Sequence, residues 1–195
     1  MWDQRYSASE YVYGKEPNDF LASMAGQIQP GTTLCLADGE GRNGVFLATR
    51  GHRVTAVDSS HVGLQKANRL AVECGVSIET VHNDLAHYPI LPSAWDNIVS
   101  IFCHLPSKLR QEVHRSVVAG LRPGGHFILE AYTVDQLKFG TGGPKDEDRL
   151  MRLVDVEQEL AGLHIELAQE IEREVIEGHF HDGKGAVLQI LAIKP

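Results

Sequence analysis

The sequence is poor in cysteine, has fewer basic than acidic residues, and lacks long apolar runs. Its three cysteines, Cys35, Cys74 and Cys103, are scattered among 195 residues. That spacing excludes CxxC redox and zinc-ribbon patterns, and an odd number fits poorly with a disulfide framework. A reducing compartment, the cytoplasm, is expected. Lys and Arg total 18 against 26 Asp and Glu, for a formal net charge of −8. Affinity for nucleic acid comes mainly from Lys and Arg displacing condensed counterions, so this balance argues for a small-molecule partner and against nucleic acid. The most apolar run, 98–103, is interrupted by Ser100 and is too short to cross a bilayer. The first ten residues lack the basic start and apolar core of a secretory signal. No membrane partner is expected.

What is present is an ordinary globular composition, with 43% hydrophobic and 23% charged residues and enough chain to bury one core. A single domain over residues 1–195 is expected, with 1–30 as an aromatic-bearing N-terminal segment and helix. Pro17-Asn18-Asp19 reads as a helix start, and Pro30-Gly31 as the turn before a first strand at 32–36. Strand and helix signals then alternate. A helix at 44–50 precedes a strand at 53–58. Ser59 or Ser60 caps a helix with Leu64, Ala67, Leu70 and Ala71 at helical spacing. Strands follow at 76–81, 96–102 and 126–131, with a helix opening at Pro106-Ser107 and a turn at 121–125. This rhythm predicts a mainly parallel sheet with helices on both faces. A glycine-rich loop at 140–144 and a helix at 146–160 come next. Two strands at 166–177 and 186–193 end the chain and must pair antiparallel.

Gly39-Glu40-Gly41-Arg42-Asn43-Gly44 satisfies GxGxxG, follows a strand and opens a helix, and the next strand ends on an acid, Asp58. Glycine lets backbone approach a nucleoside, and a carboxylate can accept from ribose hydroxyls. These parts suit a nicotinamide dinucleotide or S-adenosylmethionine (SAM), and a ligand-free strand-to-helix turn is a third reading. The chain leaves little room for the second half that hydride transfer usually requires, which favours the smaller nucleoside. Asp84-Leu85 fits an adenine site, with a carboxylate for the exocyclic amine and an apolar cover for the ring.

Together with Trp2-Asp3-Gln4-Arg5-Tyr6, Tyr13-Gly14-Lys15-Glu16-Pro17-Asn18, Trp95-Asp96 and Leu121 to Gly125, these motifs resemble the class I SAM-dependent methyltransferases. Within that class the resemblance is to the small tellurite-resistance-related and thiopurine-methyltransferase-like group. It implies a Rossmann-like α/β fold with seven strands, the last inserted antiparallel. It also implies SAM as cofactor. Ala37, Asp38, Gly39, Gly41 and Asn43 would surround its methionine end, Asp58 and Ser59 its ribose, and Asp84 and Leu85 its adenine. Ile101 and Phe102 would lie beneath it, and an N-terminal lid including Arg5 and Tyr6 would cover it. Two positions depart from the family pattern: Cys35 stands where an acid is common, and Ala37 where glycine is. A negative φ at Ala37 would preserve close approach of the backbone.

The implied reaction is methyl transfer to a small molecule, such as a thiol, a metalloid oxyanion or a xenobiotic heteroatom. Soft nucleophiles need little base assistance, and His104 is the candidate if a base operates. Tyr11, His104, Tyr132 and Thr141 are candidate acceptor-lining residues. Cys103 reads as apolar filler, and His179 with His181 as an incomplete metal set, so no metal is expected. A nicotinamide-dependent oxidoreductase and a catalytically silent SAM-binding sensor are the alternatives. Monomer and homodimer are both compatible with the sequence.

Overall fold

The computed structural model describes residues 2–178 and 182–195. Its centre is one seven-stranded sheet ordered β3-β2-β1-β4-β5-β7-β6. The strands are β1 (Thr32–Leu36), β2 (Arg53–Asp58), β3 (Glu79–His82), β4 (Trp95–Ile101), β5 (Leu121–Tyr132), β6 (His164–Ile176) and β7 (Asp182–Ile193). β7 lies between β5 and β6 and runs antiparallel to both, while β1 to β5 pair in parallel. The Rossmann-like order and the inserted antiparallel last strand are those expected from the sequence.

Helices α1 (Trp2–Arg5), α2 (Asp19–Met24), α3 (Arg42–Thr49), α4 (His61–Glu73), α5 (Ser107–Gly120) and α6 (Leu153–Glu159) flank the sheet. Alternation along the strands sends side chains to two cores. Leu34, Leu36, Ile98, Phe127 and Leu129 point to the layer containing Val113 and Val117 of α5 and Val156 of α6. Cys35, Val99 and Ile128, one residue out of phase, join Phe20 and Leu21 of α2 and Leu47 of α3 on the other face. Because both faces are covered, the central strands read as near-continuous apolar runs.

Several boundaries differ from the sequence reading. Ser60, not Ser59, caps α4, its hydroxyl accepting the Gly63 N–H at 3.0 Å. The third strand is only Glu79–His82. Residues 121–125 belong to β5, where Leu121 pairs with Trp95 across an irregularity in the ladder. The helix expected at 146–160 is broken. A 3-10 turn at Glu147–Arg149 and α6 are separated by Leu150, Met151 and Arg152, and the buried side chains of the first two, with the Met151 N–H to Tyr132 carbonyl bond of 3.0 Å, require extended chain. The acidic start of that stretch serves another helix. Asp148 Oδ1 accepts from the Ser107 hydroxyl at 2.5 Å, at the first turn of α5.

The strand order reverses between β1 and β4, so loops leaving their carboxyl ends diverge and open a crevice there. Ala37 and Phe102 are the first residues beyond these two strands.

Candidate functional site

The turn after β1 is built from left-handed backbone. Ala37, Gly39 and Gly41 have φ of 51°, 58° and 88°. Ala37 therefore does not meet the condition of a negative φ: this alanine takes a conformation that costs an L-residue about 1–2 kcal/mol. Phe102, at the end of β4, is likewise at 51°. Two strained non-glycine residues thus flank the crevice, a placement characteristic of functional sites. Gly41 caps α3, and a Cβ there would stand 2.5 Å from the Ala67 Cβ and 2.7 Å from the Ala67 Cα, so α3 and α4 can meet only at glycine.

Asp58 ties this turn to β2. Its Oδ2 accepts the Gly39 N–H at 2.9 Å and its Oδ1 the Ser60 N–H at 2.7 Å. Burial raises its carboxyl above the ordinary range, and these two amides oppose that shift. Asp38 points under α3, where the Gly44 N–H lies 3.3 Å from each carboxylate oxygen. Burial pushes its carboxyl up to about 7, against the pull of that amide. Asn43 Oδ1 accepts the Asn18 N–H at 2.9 Å.

The N-terminal segment covers the turn. Tyr6 is buried, and a Cβ on Gly39 or Gly63 would meet its ring. Burial, then the Asp58 charge, raises its phenol well above the ordinary value. Asp3 Oδ1 accepts from the Ser60 hydroxyl at 2.6 Å and the Val62 N–H at 3.2 Å, at the start of α4. Arg5 lies over the Trp2 ring and donates to the Tyr13 hydroxyl at 3.0 Å. Tyr11 donates to the Lys66 carbonyl at 3.0 Å and packs with Val45, Leu70 and Ala71, on α3 and α4.

Across the crevice, buried Ile101 ends β4 and the Phe102 ring follows it, and the Phe102 N–H donates to the Glu130 carbonyl at 2.7 Å. The Phe102 ring lies 4.7 Å from that of Tyr132, and His104 stacks on Tyr132 at 5.6 Å. His104 Nδ1 meets the Arg149 carbonyl at 3.1 Å, which makes that nitrogen the donor and leaves Nε2 to accept the Tyr132 N–H at 3.4 Å. Burial pushes its pKa down to about 4, so the ring is neutral at pH 7. Thr141 donates to the Lys184 carbonyl at 2.6 Å, fastening the 140–144 loop to β7. Asp84 is exposed and accepts the Ala86 N–H at 2.9 Å, while Leu85 packs against the core. Ser59 is exposed, its carbonyl accepting from His82 Nε2 at 3.0 Å. Cys103 is buried, and burial pushes its thiol up to about 12. His179 and His181 lie outside the described residues.

Two polar constellations escaped the sequence reading. In the first, fully buried Asn18 donates through Nδ2 to Glu130 at 2.5 Å and to Glu177 at 2.8 Å, while its Oδ1 caps α2. Arg42 pairs with Glu177, and Arg173 with Glu130 at 2.7 Å and Glu177 at 3.1 Å. Two arginines thus balance two carboxylates drawn, with Arg173 and Glu177 as near neighbours, from three distant stretches of sequence, and only the fold brings them together. The second joins Glu40, in the turn, to Lys66 on α4. A signal for it existed: Gly63, Lys66, Ala67 and Leu70 share one helical stripe, which placed a lysine on the buried face.

Residues 34–125, from β1 into β5, match the methyltransferase-domain family. A 2-heptyl-1-hydroxyquinolin-4(1H)-one methyltransferase of Mycobacteroides abscessus is 26% identical over 102 residues, 51% of this chain and 45% of its own length. The match therefore spans less than half of that relative. Among solved structures, one described as the conversion of a disulfide bond into a thioacetal group during echinomycin biosynthesis superimposes with a TM-score of 0.77. It is 17% identical and covers 99% of this chain and 90% of its own. TehB from Haemophilus influenzae gives 0.76 at 18% identity over 100% of this chain and 66% of that one. At these identities the structures establish the shared fold.

Proposed function

We infer, for a chain whose residues 34–125 match the methyltransferase-domain family, that it binds SAM at the crevice between β1 and β4 and methylates a small molecule. The observation that carries this reading is the bond between Gly39 and Asp58. It holds a glycine-bearing turn and a buried carboxylate together at the switch point of the sheet, which suits a nucleoside with a ribose diol and an amino-acid tail. Asp58 would accept from the ribose hydroxyls. The Ala37 to Gly41 backbone would hold the methionine end, and Asp84 with Leu85 the adenine. Tyr6 and Arg5 would cover the cofactor.

When bound, SAM supplies an electrophilic methyl group that an acceptor lone pair takes in line as the carbon–sulfur bond breaks. The tasks left to the protein are alignment and exclusion of water. Phe102 and His104 would form an aromatic wall for the acceptor, backed by the fully buried Tyr132 ring, with Thr141 holding the neighbouring loop. With Nδ1 committed and its pKa near 4, His104 serves as part of this wall and not as a base. This favours acceptors that are nucleophilic without help: a thiolate, a reduced metalloid species, or an acidic heteroatom hydroxyl. The last finds support in the relative named for a 1-hydroxyquinolinone. Placement in the tellurite-resistance-related, thiopurine-methyltransferase-like group is part of this proposal and rests on the sequence motifs at 2–6, 13–18 and 121–125. We place the whole chain in one cytoplasmic domain, as a monomer or homodimer.

The test is calorimetric titration with SAM, S-adenosylhomocysteine and NAD(H), followed by a labelled-methyl screen against thiols, selenite, tellurite, phenols and N-hydroxy heteroaromatics. SAM binding with label on one acceptor class is expected. NAD(H) binding without SAM would overturn the reading, and SAM binding without transfer to any acceptor would convert it to a silent sensor.

A further inference from the structure

The Lys66 ammonium is almost completely buried on α4, yet it serves no other part of the helix layer. It donates to three backbone carbonyls of the N-terminal segment: Tyr6 at 3.3 Å, Ala8 at 2.9 Å and Glu10 at 2.6 Å. Its fourth partner is the carboxylate of Glu40. Glu40, between the two glycines of the turn, accepts the Val12 N–H at 2.8 Å and the Tyr13 N–H at 3.4 Å. One buried ion pair therefore takes five backbone groups from residues 6 to 13.

Other contacts of this segment are sparse in apolar area. Between Trp2 and Gly14 only Tyr6 and Val12 are buried, and residues 7–10 are exposed. A segment held this way opens at low cost once its polar contacts yield, because little hydrophobic surface is released. Asn18 is fixed in the buried network, and Gly14, at φ 75°, lies between it and the latched stretch, a position suited to a hinge. Tyr6 lies over Gly39 beside Asp58, so a nucleoside cannot reach Asp58 from that side while the segment is down.

We propose that Glu40 and Lys66 form a latch through which the nucleoside turn and the N-terminal segment sense each other. Cofactor on the turn holds Glu40 in place and the segment closed, and release of the latch sets the rate at which cofactor leaves. Both are positioning residues, acting through backbone that they hold. The proposal rests on the reading of this turn as the SAM site.

The experiment follows tryptic cleavage after Arg5 and Lys15 in the full chain, with and without saturating S-adenosylhomocysteine, together with its dissociation rate by stopped flow. In the unaltered protein, ligand should slow cleavage at least tenfold. Lys66→Met should abolish that protection and speed dissociation at least tenfold, with Glu40→Gln intermediate. Unchanged dissociation in a folded Lys66→Met variant, or ligand-independent cleavage of the unaltered chain, would overturn the latch. Should Lys66→Met fail to fold, hydrogen exchange at the Val12 and Tyr13 amides of the unaltered protein decides. Slowing by ligand supports the latch, and equal rates refute it. Absence of any ligand binding by calorimetry marks failure of the cofactor reading. In that case, unchanged cleavage after Arg5 in Lys66→Met refutes the latch, and faster cleavage supports its hold on the segment.

Discussion

The Gly39 amide and the Asp58 carboxylate meet at 2.9 Å, so the loop leaving β1 and the end of β2 move as one unit. The second Asp58 oxygen holds the Ser60 N–H, which extends that unit to the first turn of α4. Substituting Asp58→Asn keeps the shape but leaves one amide facing an NH2 group. Hydrogen bonds to a charged acceptor contribute about 1.5–3 kcal/mol. SAM affinity should fall roughly ten- to a hundredfold, measured by calorimetry, and urea unfolding should show a loss of about 1–3 kcal/mol.

Gly41 is both left-handed and in contact with Ala67. Gly41→Ala adds about 1–2 kcal/mol of backbone strain to about 1–3 kcal/mol of overpacking. The urea midpoint should drop with an unchanged m-value.

Ala37 offers the opposite case. Relief of its left-handed strain by Ala37→Gly, about 1–2 kcal/mol, is offset by about 0.5–1 kcal/mol of extra chain entropy in the unfolded state. The variant should be as stable as the parent or slightly more so, whereas Ala37→Val, stiffened at Cβ, should be less stable. Denaturant melts of the three proteins check the order.

Asp38 makes stability depend on pH in a stated direction. Burial lifts its carboxyl to about 7 in the folded chain, against 3.8 for an unperturbed aspartate. Between these values the folded state holds a proton that the unfolded state has lost. The contribution of Asp38 is therefore fully present below about 4 and is lost as pH rises through about 7. The stability difference between Asp38→Asn and the parent should shift in favour of the variant from pH 4 to pH 7 and stay level above that, as read by urea denaturation at each pH.

His104→Gln tests whether a base operates. Loss of a general base removes about two to four orders of magnitude of rate. With the ring already neutral and bonded to Arg149, the expected fall in kcat is less than about tenfold, and the pH–rate profile between 5.5 and 8 should keep its shape.

The sequence by itself determined the class of fold, because short, near-continuous apolar strands alternating with capped helices leave few arrangements, and the antiparallel closure follows from the short connection between β6 and β7. It also marked the turn and Asp58, since glycine spacing and a strand-ending acid are local signals. It did not give the φ of Ala37, because the left-handed backbone there comes from tertiary restraint on the turn and not from alanine's preference. It misread 146–160 as one helix, because the docking of Leu150 and Met151 beside β5 overrides helical periodicity. Tertiary structure alone decided the polar interior: Asn18, Arg42, Glu130, Arg173 and Glu177 are unremarkable as sequence neighbours. Burial forces each to find a partner, and that requirement couples the N-terminal segment and the closing hairpin to the turn first recognised by its glycines.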